Sequence, residues 1–392
     1  MRSAHAELSS AKISLIYSGD EYFVHFLEQI QLAQKSIVIE SYIFNLDPIG
    51  LKILGALAIA RERGVHVRLL VDGVGGYNWI HGLYKECSQR KISLRIYHPP
   101  PFGSEFWSHL SWGNLNRWLG FFRRLNKRNH RKLAIFDEKT VLMGSFNISQ
   151  VHSETYLDEH AWRDTGLLAQ NFSDDSDIRV LLSACNEAWR TSRFFRRTNF
   201  RSFLRRGRAA QMIHSRFRLN SRTFWRFLLL RDLNRRIKSA KKQILITNAY
   251  FIPRKSILRN LRGAARRGVD VCLLLPQVTD AWFVREASRS LYERLLKSGV
   301  RIFEYQDRVL HAKTLIIDQW ATVGSHNLNH RSLNHDLEVE TVLNDPDLIL
   351  SLKQQWEKDL QHSLEVSLDP FSHRSPWRKI MSRMLYWFRF WI

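Results

Sequence analysis

The chain has 392 residues, of which 44% are hydrophobic and 25% charged, a balance that suits two or three folded globular domains. Sixty Lys and Arg against 37 Asp and Glu leave a net charge of +23, which suits partners that carry phosphate, either nucleic acid or an anionic membrane face. The three scattered cysteines, Cys87, Cys185 and Cys272, exclude a disulfide framework and a zinc site. The apolar run around Cys272 reads as buried, and this cysteine usage fits a reducing cytoplasm. The first residues, Met1-Arg2-Ser3-Ala4-His5-Ala6-Glu7, lack the apolar core of a signal peptide. Nowhere does the sequence offer the run of about 18 apolar residues that a transmembrane helix needs.

In chain order, the first expected element is a β-branched, aromatic strand over residues 36–44, which includes Glu40-Ser41-Tyr42-Ile43-Phe44. An alanine-rich helix over 50–63 stops at Gly64, as helices commonly do at glycine, and a second strand follows over 67–71. Residues 99–128 then interleave Phe102, Phe106, Trp107, Trp112, Trp118, Phe121 and Phe122 with Arg and Lys. That pattern fits either packed core or an element lying at a membrane interface. Residues 190–226 hold twelve arginines and no acidic residue. They read as a solvated linker or a basic face, and a boundary is expected there near residue 205.

The second half repeats the order of the first. A strand is expected over 243–251, where the chain runs on as Asn248-Ala249-Tyr250-Phe251-Ile252-Pro253, then a helix over 256–267, Gly268, and a strand over 271–275. Strand–helix–strand units imply parallel pairing and α/β layers. The expected organisation is a first domain over 1–204, a second over 205–372, and over 373–392 a basic, aromatic segment that suits lying at a membrane surface, with packing as a helix against the body as the alternative.

A tighter repeat lies inside this one. His130-Arg131-Lys132-Leu133-Ala134-Ile135-Phe136-Asp137 is followed by Gly144-Ser145-Phe146-Asn147. In the second half His311-Ala312-Lys313-Thr314-Leu315-Ile316-Ile317-Asp318 is followed by Gly324-Ser325-His326-Asn327. Both read H-x-K-x4-D and then G-S-x-N, with His and Lys two apart on a strand and so on one face. A lone H-x-K is usually a surface pair. Two copies, at matching places in two similar halves, mark a site.

These paired motifs resemble those of the phospholipase D superfamily over nearly the whole chain. Within it, residues 40–44, 248–253 and 311–338 resemble the bacterial cardiolipin synthase type that lacks N-terminal membrane helices. The resemblance implies two phospholipase D-like α/β domains, each a central mixed β-sheet flanked by helices, sharing one active site at their interface. It also implies transfer of a phosphatidyl group between alcohols without metal or cofactor. Two departures bear on lipid preference: Asp336 precedes Leu337-Glu338 where relatives commonly carry Asn, and residues 153–158 are idiosyncratic.

The residues suit phosphodiester chemistry. With an ordinary pKa near 6.5, one imidazole is neutral while the other is protonated near pH 7. One histidine attacks phosphorus and forms a phosphohistidine; the other protonates the leaving alcohol and later deprotonates the incoming one. Either histidine fits either role, and His130 is taken as the nucleophile. Lys132 and Lys313 would hold the phosphoryl oxygens and would repel a metal cation. Ser145, Asn147, Ser325 and Asn327 would add hydrogen bonds from the cleft floor. A histidine nucleophile needs its far nitrogen held by a carboxylate; Glu338 and Asp164 occupy matching places after the two motifs. Asp137 and Asp318 belong to the motif and count with its catalytic set, but at the strand ends they suit anchoring of local structure better.

The expected partners are anionic phospholipids, phosphatidylglycerol foremost, at the cytoplasmic face of the bacterial inner membrane, where the protein would be peripheral. A phosphodiesterase acting on nucleic acid fits the charge equally but does not need the aromatic tail 373–392. A non-catalytic lipid-binding scaffold does not need intact motifs.

Overall fold

The computed structural model describes residues 12–99, 127–172, 175–192, 215–372 and 375–387. Two sheets dominate it. In spatial order the first is β1 (Lys12–Ile16), β7 (Gly166–Gln170), β6 (Thr140–Gly144), β5 (Leu133–Phe136), β2 (Ser36–Ser41), β3 (His66–Asp72) and β4 (Ser93–Tyr97). The second begins at an extra edge strand, β15 (Ser363–Glu365), then β11 (Arg301–Tyr305), β10 (Asp270–Pro276) and β9 (Gln243–Asn248). It continues through β12 (Lys313–Ile317), β13 (Trp320–Gly324), β14 (Val339–Leu343) and β8 (Phe217–Leu219). Leaving β15 aside, the two orders are the same. In each sheet the three strands on one side are parallel and the rest antiparallel, so both are mixed sheets, as expected.

The strand–helix–strand units form where the pattern placed them. The helix Pro48–Glu62 starts on Asp47, whose side chain accepts the Gly50 N–H at 3.0 Å, with Pro48 in the first turn. It buries Ile49, Ile53, Leu54, Leu57 and Ala60 along one face and delivers the chain to β3, parallel to β2. The matching helix, Lys255–Arg266, buries Ile257, Leu258, Leu261 and Ala264 and feeds β10, parallel to β9.

Alternation along the strands decides what each face packs against. Ile37, Ile39, Ala134 and Phe136 join the helices of the first half, and Ile244, Ile246, Leu315 and Ile317 join those of the second. The opposite faces meet in one shared core. There Val38, Leu133, Ile135 and Met143 belong to the same cluster as Leu245, Ile316, Val323 and Val339. The helices Asp175–Thr191 and Pro346–Gln361 complete that core through Leu181, Cys185, Leu352 and Trp356. The two sheets therefore bury their inner faces together, and loops from both halves converge at their edge. All three cysteines are buried and unpaired. The boundary expected near residue 205 lies outside the described residues, as does the aromatic insert between residues 100 and 126.

Candidate active site

Two short bridges stitch the halves together, and each carries one motif histidine. Asn129 pairs with Leu337: the His130 N–H donates to the Leu337 carbonyl at 2.9 Å, and the Leu337 N–H to the Arg128 carbonyl at 2.8 Å. Glu338, next in the chain, thereby meets His130, its carboxylate 3.0 Å from Nδ1. The second bridge pairs Arg163 with Leu310, with the His311 N–H donating to the Arg163 carbonyl at 2.8 Å. Asp164, next in the chain, meets His311 with Oδ1 2.7 Å from Nδ1. The histidine of each half is held by the carboxylate of the other.

The bridges are backed by buried charge. Arg163 forks onto Asp359 with bonds of 2.9 and 2.8 Å, a paired geometry that secures the first half to the helix Pro346–Gln361. On the other bridge, Glu40 accepts from Asn129 at 3.0 Å and Arg131 at 3.3 Å, clamping both neighbours of His130. The motif glycines make room for the carboxylates. A Cβ on Gly144 would stand 2.4 Å from the Gly166 Cα, and one on Gly324 would stand 2.3 Å from the Val339 carbonyl, so only glycine lets those strands approach.

Each carboxylate has a second partner, supplied at the same offset from the motif serine. Asp164 Oδ2 accepts from His152 Nδ1 at 2.7 Å, and Glu338 Oε1 from the Ser332 hydroxyl at 2.6 Å. His152 and Ser332 each lie seven residues after Ser145 and Ser325. His152 is fully buried, and its Nε2 accepts the Asn147 backbone N–H at 3.1 Å, which assigns the Nδ1 proton to the Asp164 bond. The sequence reading missed both residues; the shared spacing was the signal. It also missed Trp162, whose ring centroid lies 5.3 Å from that of His311. Two tyrosines complete the lining. Tyr42 stands 4.8 Å from the His130 ring and Tyr250 6.5 Å from the His311 ring.

Electrostatics join the four motif side chains into one site, because Lys132 and Lys313 both act on both histidines. Burial, opposed by Glu338, lowers His130. Burial and the lysines, opposed by Asp164, lower His311. Burial alone would raise the carboxylates. Instead His130 and its hydrogen bond, with His326 and Lys132, hold Glu338 at about 2, and the two imidazoles hold Asp164 well below the carboxylate range. Burial brings Lys132 down to about 8 and Lys313 to about 7. Each lysine's Nζ donates to the carbonyl of its own motif histidine. With both Nδ1 atoms engaged, Nε2 of each histidine has no partner among the described residues and is the atom left for chemistry. Burial keeps the Tyr42 phenol un-ionised.

The motif aspartates anchor local structure, and the motif serines have other places than the cleft floor. Asp137 does not face the cleft: it accepts the backbone N–H groups of Gln34, Lys35 and Ser36 at 2.7, 2.7 and 2.9 Å. Asp318 does the same for Lys241, Lys242 and Gln243 at 2.9, 2.9 and 3.0 Å. Both clip the turn that leads into β2 or β9, and those amides outweigh burial to hold both carboxyls low. Ser145 and Ser325 are fully buried. The Ser145 hydroxyl donates to the Thr165 carbonyl at 3.1 Å and accepts the Thr165 N–H at 3.0 Å. The Ser325 hydroxyl donates to Glu338 and accepts the Val339 N–H at 3.1 Å. They orient the carboxylate strands, so their hydroxyls are not cleft-floor donors. Asn147 accepts the Ile43 N–H at 3.3 Å, and the buried Oδ1 of Asn327 has no partner among the described residues. Asp336 caps the first bridge, accepting the Arg128 N–H at 3.2 Å and pairing with Arg331 at 3.3 Å.

Comparison with known proteins agrees with this arrangement. The family described as "Cardiolipin synthase, PLD-like domain" matches residues 26–164 and 233–361, one stretch in each half. Cardiolipin synthase B of Escherichia coli K12 is 30% identical over 335 residues, covering 85% of this chain and 76% of that protein. A cardiolipin synthase of Clostridium perfringens is 31% identical over 378 residues, covering 93% of this chain and 73% of that one. Among solved structures, phosphatidylserine synthase of Haemophilus influenzae superposes with a TM-score of 0.65 at 14% identity, covering 96% of this chain and 92% of that chain. That likeness extends the shared fold across both halves. With a matching stretch in each half and a histidine, lysine and carboxylate from both meeting in one site, this chain belongs to the phospholipase D-like family of cardiolipin synthases.

Proposed function

We propose that this enzyme makes cardiolipin by transferring a phosphatidyl group from one phosphatidylglycerol to another. The observation that carries this reading is the crossed pair of histidine–carboxylate dyads with both Nε2 atoms left for reaction. His130 Nε2 attacks phosphorus, and the bond to the headgroup glycerol oxygen breaks as His311, its charged form favoured by the phosphate anion beside it against the pull of burial, gives that oxygen a proton. The product is a phosphohistidine and free glycerol. His311 then takes the proton from a headgroup hydroxyl of the second phosphatidylglycerol. That oxygen attacks phosphorus, the P–N bond breaks, and cardiolipin leaves. Lys132 and Lys313 balance the phosphoryl oxygens through both steps, with the amide groups of Asn147 and Asn327 as neutral donors. Asp164 and Glu338 hold the tautomers and stabilise each imidazolium as it forms.

Enclosure supports transfer over hydrolysis. His130 is 8% exposed and His311 4%, so little bulk water reaches the intermediate. We assign the protein to the periphery of the cytoplasmic face of the bacterial inner membrane. No described helix is long and apolar enough to cross a bilayer. The test is incubation of purified protein with labelled phosphatidylglycerol in mixed micelles, with products resolved by mass. Cardiolipin and glycerol in equal amounts are expected. Phosphatidic acid as the sole lipid product, or cleavage of nucleic acid without lipid turnover, would overturn the proposal.

A further inference from the structure

The helix Pro376–Trp387 presents its most apolar face to solvent. Trp377 is 71% exposed, Ile380 48%, Met384 59% and Trp387 79%. At that spacing they share one arc of the helix. The opposite arc faces the body, where Ser382 is fully buried and Leu385 and Tyr386 pack against Ile252, Val284 and Ala287. A helix stabilised only by its own fold would bury the tryptophans and expose the serine. The neighbouring helix, Trp282–Arg289, adds Trp282 and Phe283, 57% and 39% exposed, with rings edge to face at 6.2 Å. Ser382 bonds Glu286, and Leu385 and Tyr386 pack on the cluster that holds Val284 and Ala287, so the two helices lie side by side.

We infer that this two-helix face docks on the surface of an anionic bilayer, with the four-residue stripe and the Trp282–Phe283 pair entering the headgroup region. The inference deepens the lipid reading above and rests on it. Three features select a bilayer. Among the described residues the apolar arc carries tryptophan at both ends, the residue that settles at the headgroup level. Exposed Arg383 borders the arc, and the chain carries +23 overall, complementary to anionic lipid. The face also adjoins the chemistry. Tyr250 packs in the cluster that seats the docking helix, its hydroxyl donates to Asp280 at 2.7 Å just ahead of Trp282, and its ring edges His311. A lipid entering from this face arrives beside the histidine.

The experiment compares wild type with Trp377→Ser/Trp387→Ser and Trp282→Ser/Phe283→Ser by co-sedimentation with phosphatidylglycerol–phosphatidylcholine vesicles at low and high salt. Turnover of short-chain phosphatidylglycerol in detergent is measured alongside. Each double variant is expected to lose about tenfold or more in vesicle affinity while detergent turnover stays within about twofold. Wild-type binding should weaken with salt. Wild-type affinity in both variants would overturn the inference. So would loss of detergent turnover, which marks a structural role, or a shift from dimer to monomer in the variants, which marks a contact between copies. If wild type sediments as expected but makes no cardiolipin in detergent, the proposed reaction fails and the docking face stands.

Discussion

Glu338→Gln should disable the histidine of the opposite half. Glu338 sits at about 2 against an ordinary 4.5, a difference of roughly 2.5 units, or roughly 3 kcal/mol in favour of the charged form. Glutamine keeps the size, and its one carbonyl oxygen still accepts from Ser332 or Ser325, but the second accepting oxygen and the charge facing His130 are gone. If that stabilisation is needed when the imidazolium forms, kcat falls by about 10²-fold while KM stays within about threefold. The structural claim has a separate readout in histidine ring nitrogen NMR, titrated in wild type, Glu338→Gln and Asp164→Asn. Glu338→Gln should move the His130 titration and leave that of His311, with the reverse for Asp164→Asn. A Glu338→Gln protein in which His311 moves and His130 does not would refute the crossed pairing.

His130→Ala and His311→Ala should each cost at least about 10²–10⁴ in turnover, and the double variant should be no worse than the singles because the pair acts as a unit; a single variant keeping more than about a tenth of the activity would contradict one shared site. Lysines are charged below their pKa, so with Lys313 at about 7 and Lys132 at about 8, kcat/KM should fall as pH rises through that window. Lys313→Arg should remove the lower step, and a flat wild-type profile would count against phosphate holding by these lysines. Asp137→Asn and Asp318→Asn should each destabilise the fold by about 1–3 kcal/mol through weakened acceptance of three amides, seen as a lower Tm. Activity per folded molecule should be unchanged; a fall of about 10²-fold would return these residues to the chemistry.

Much of this architecture was written in the repeat. Two strand–helix–strand units predicted parallel pairing and α/β layers in each half, because each step is local: apolar alternation, a helix face, a glycine stop; the mixed sheets came from the family resemblance carried by the paired motifs. What the repeat did not carry is which half completes which. Within one half, Glu338 follows His311 in the chain, just ahead of β14, and nothing in the spacing says that it crosses to His130. The crossing depends on two bridges, Asn129 with Leu337 and Arg163 with Leu310, that exist only once the sheets share a core. Motif membership alone does not place a side chain. Asp137 and Asp318 occur beside the catalytic pair because they end the same strand, yet their carboxylates point to the turn before β2 or β9. Ser145 and Ser325 carry hydroxyls that suit phosphate, but the adjoining strand claims them. His152 was hidden because its counterpart is Ser332, so the two halves agree in position and differ in residue type.

Exchange of carboxylates between halves makes completion of the fold a condition for reactivity. A ribosome releases the first half before Glu338 exists, and until the second half docks His130 has no anion to set its tautomer or support its charge. His311 depends in the same way on Asp164, which must be brought to it by the Arg163 bridge. A nascent, truncated or half-unfolded chain therefore carries a motif histidine without a working nucleophile. For an enzyme whose chemistry cuts phospholipids, the shared core then acts as an interlock, and the price of a misassembled copy is idleness.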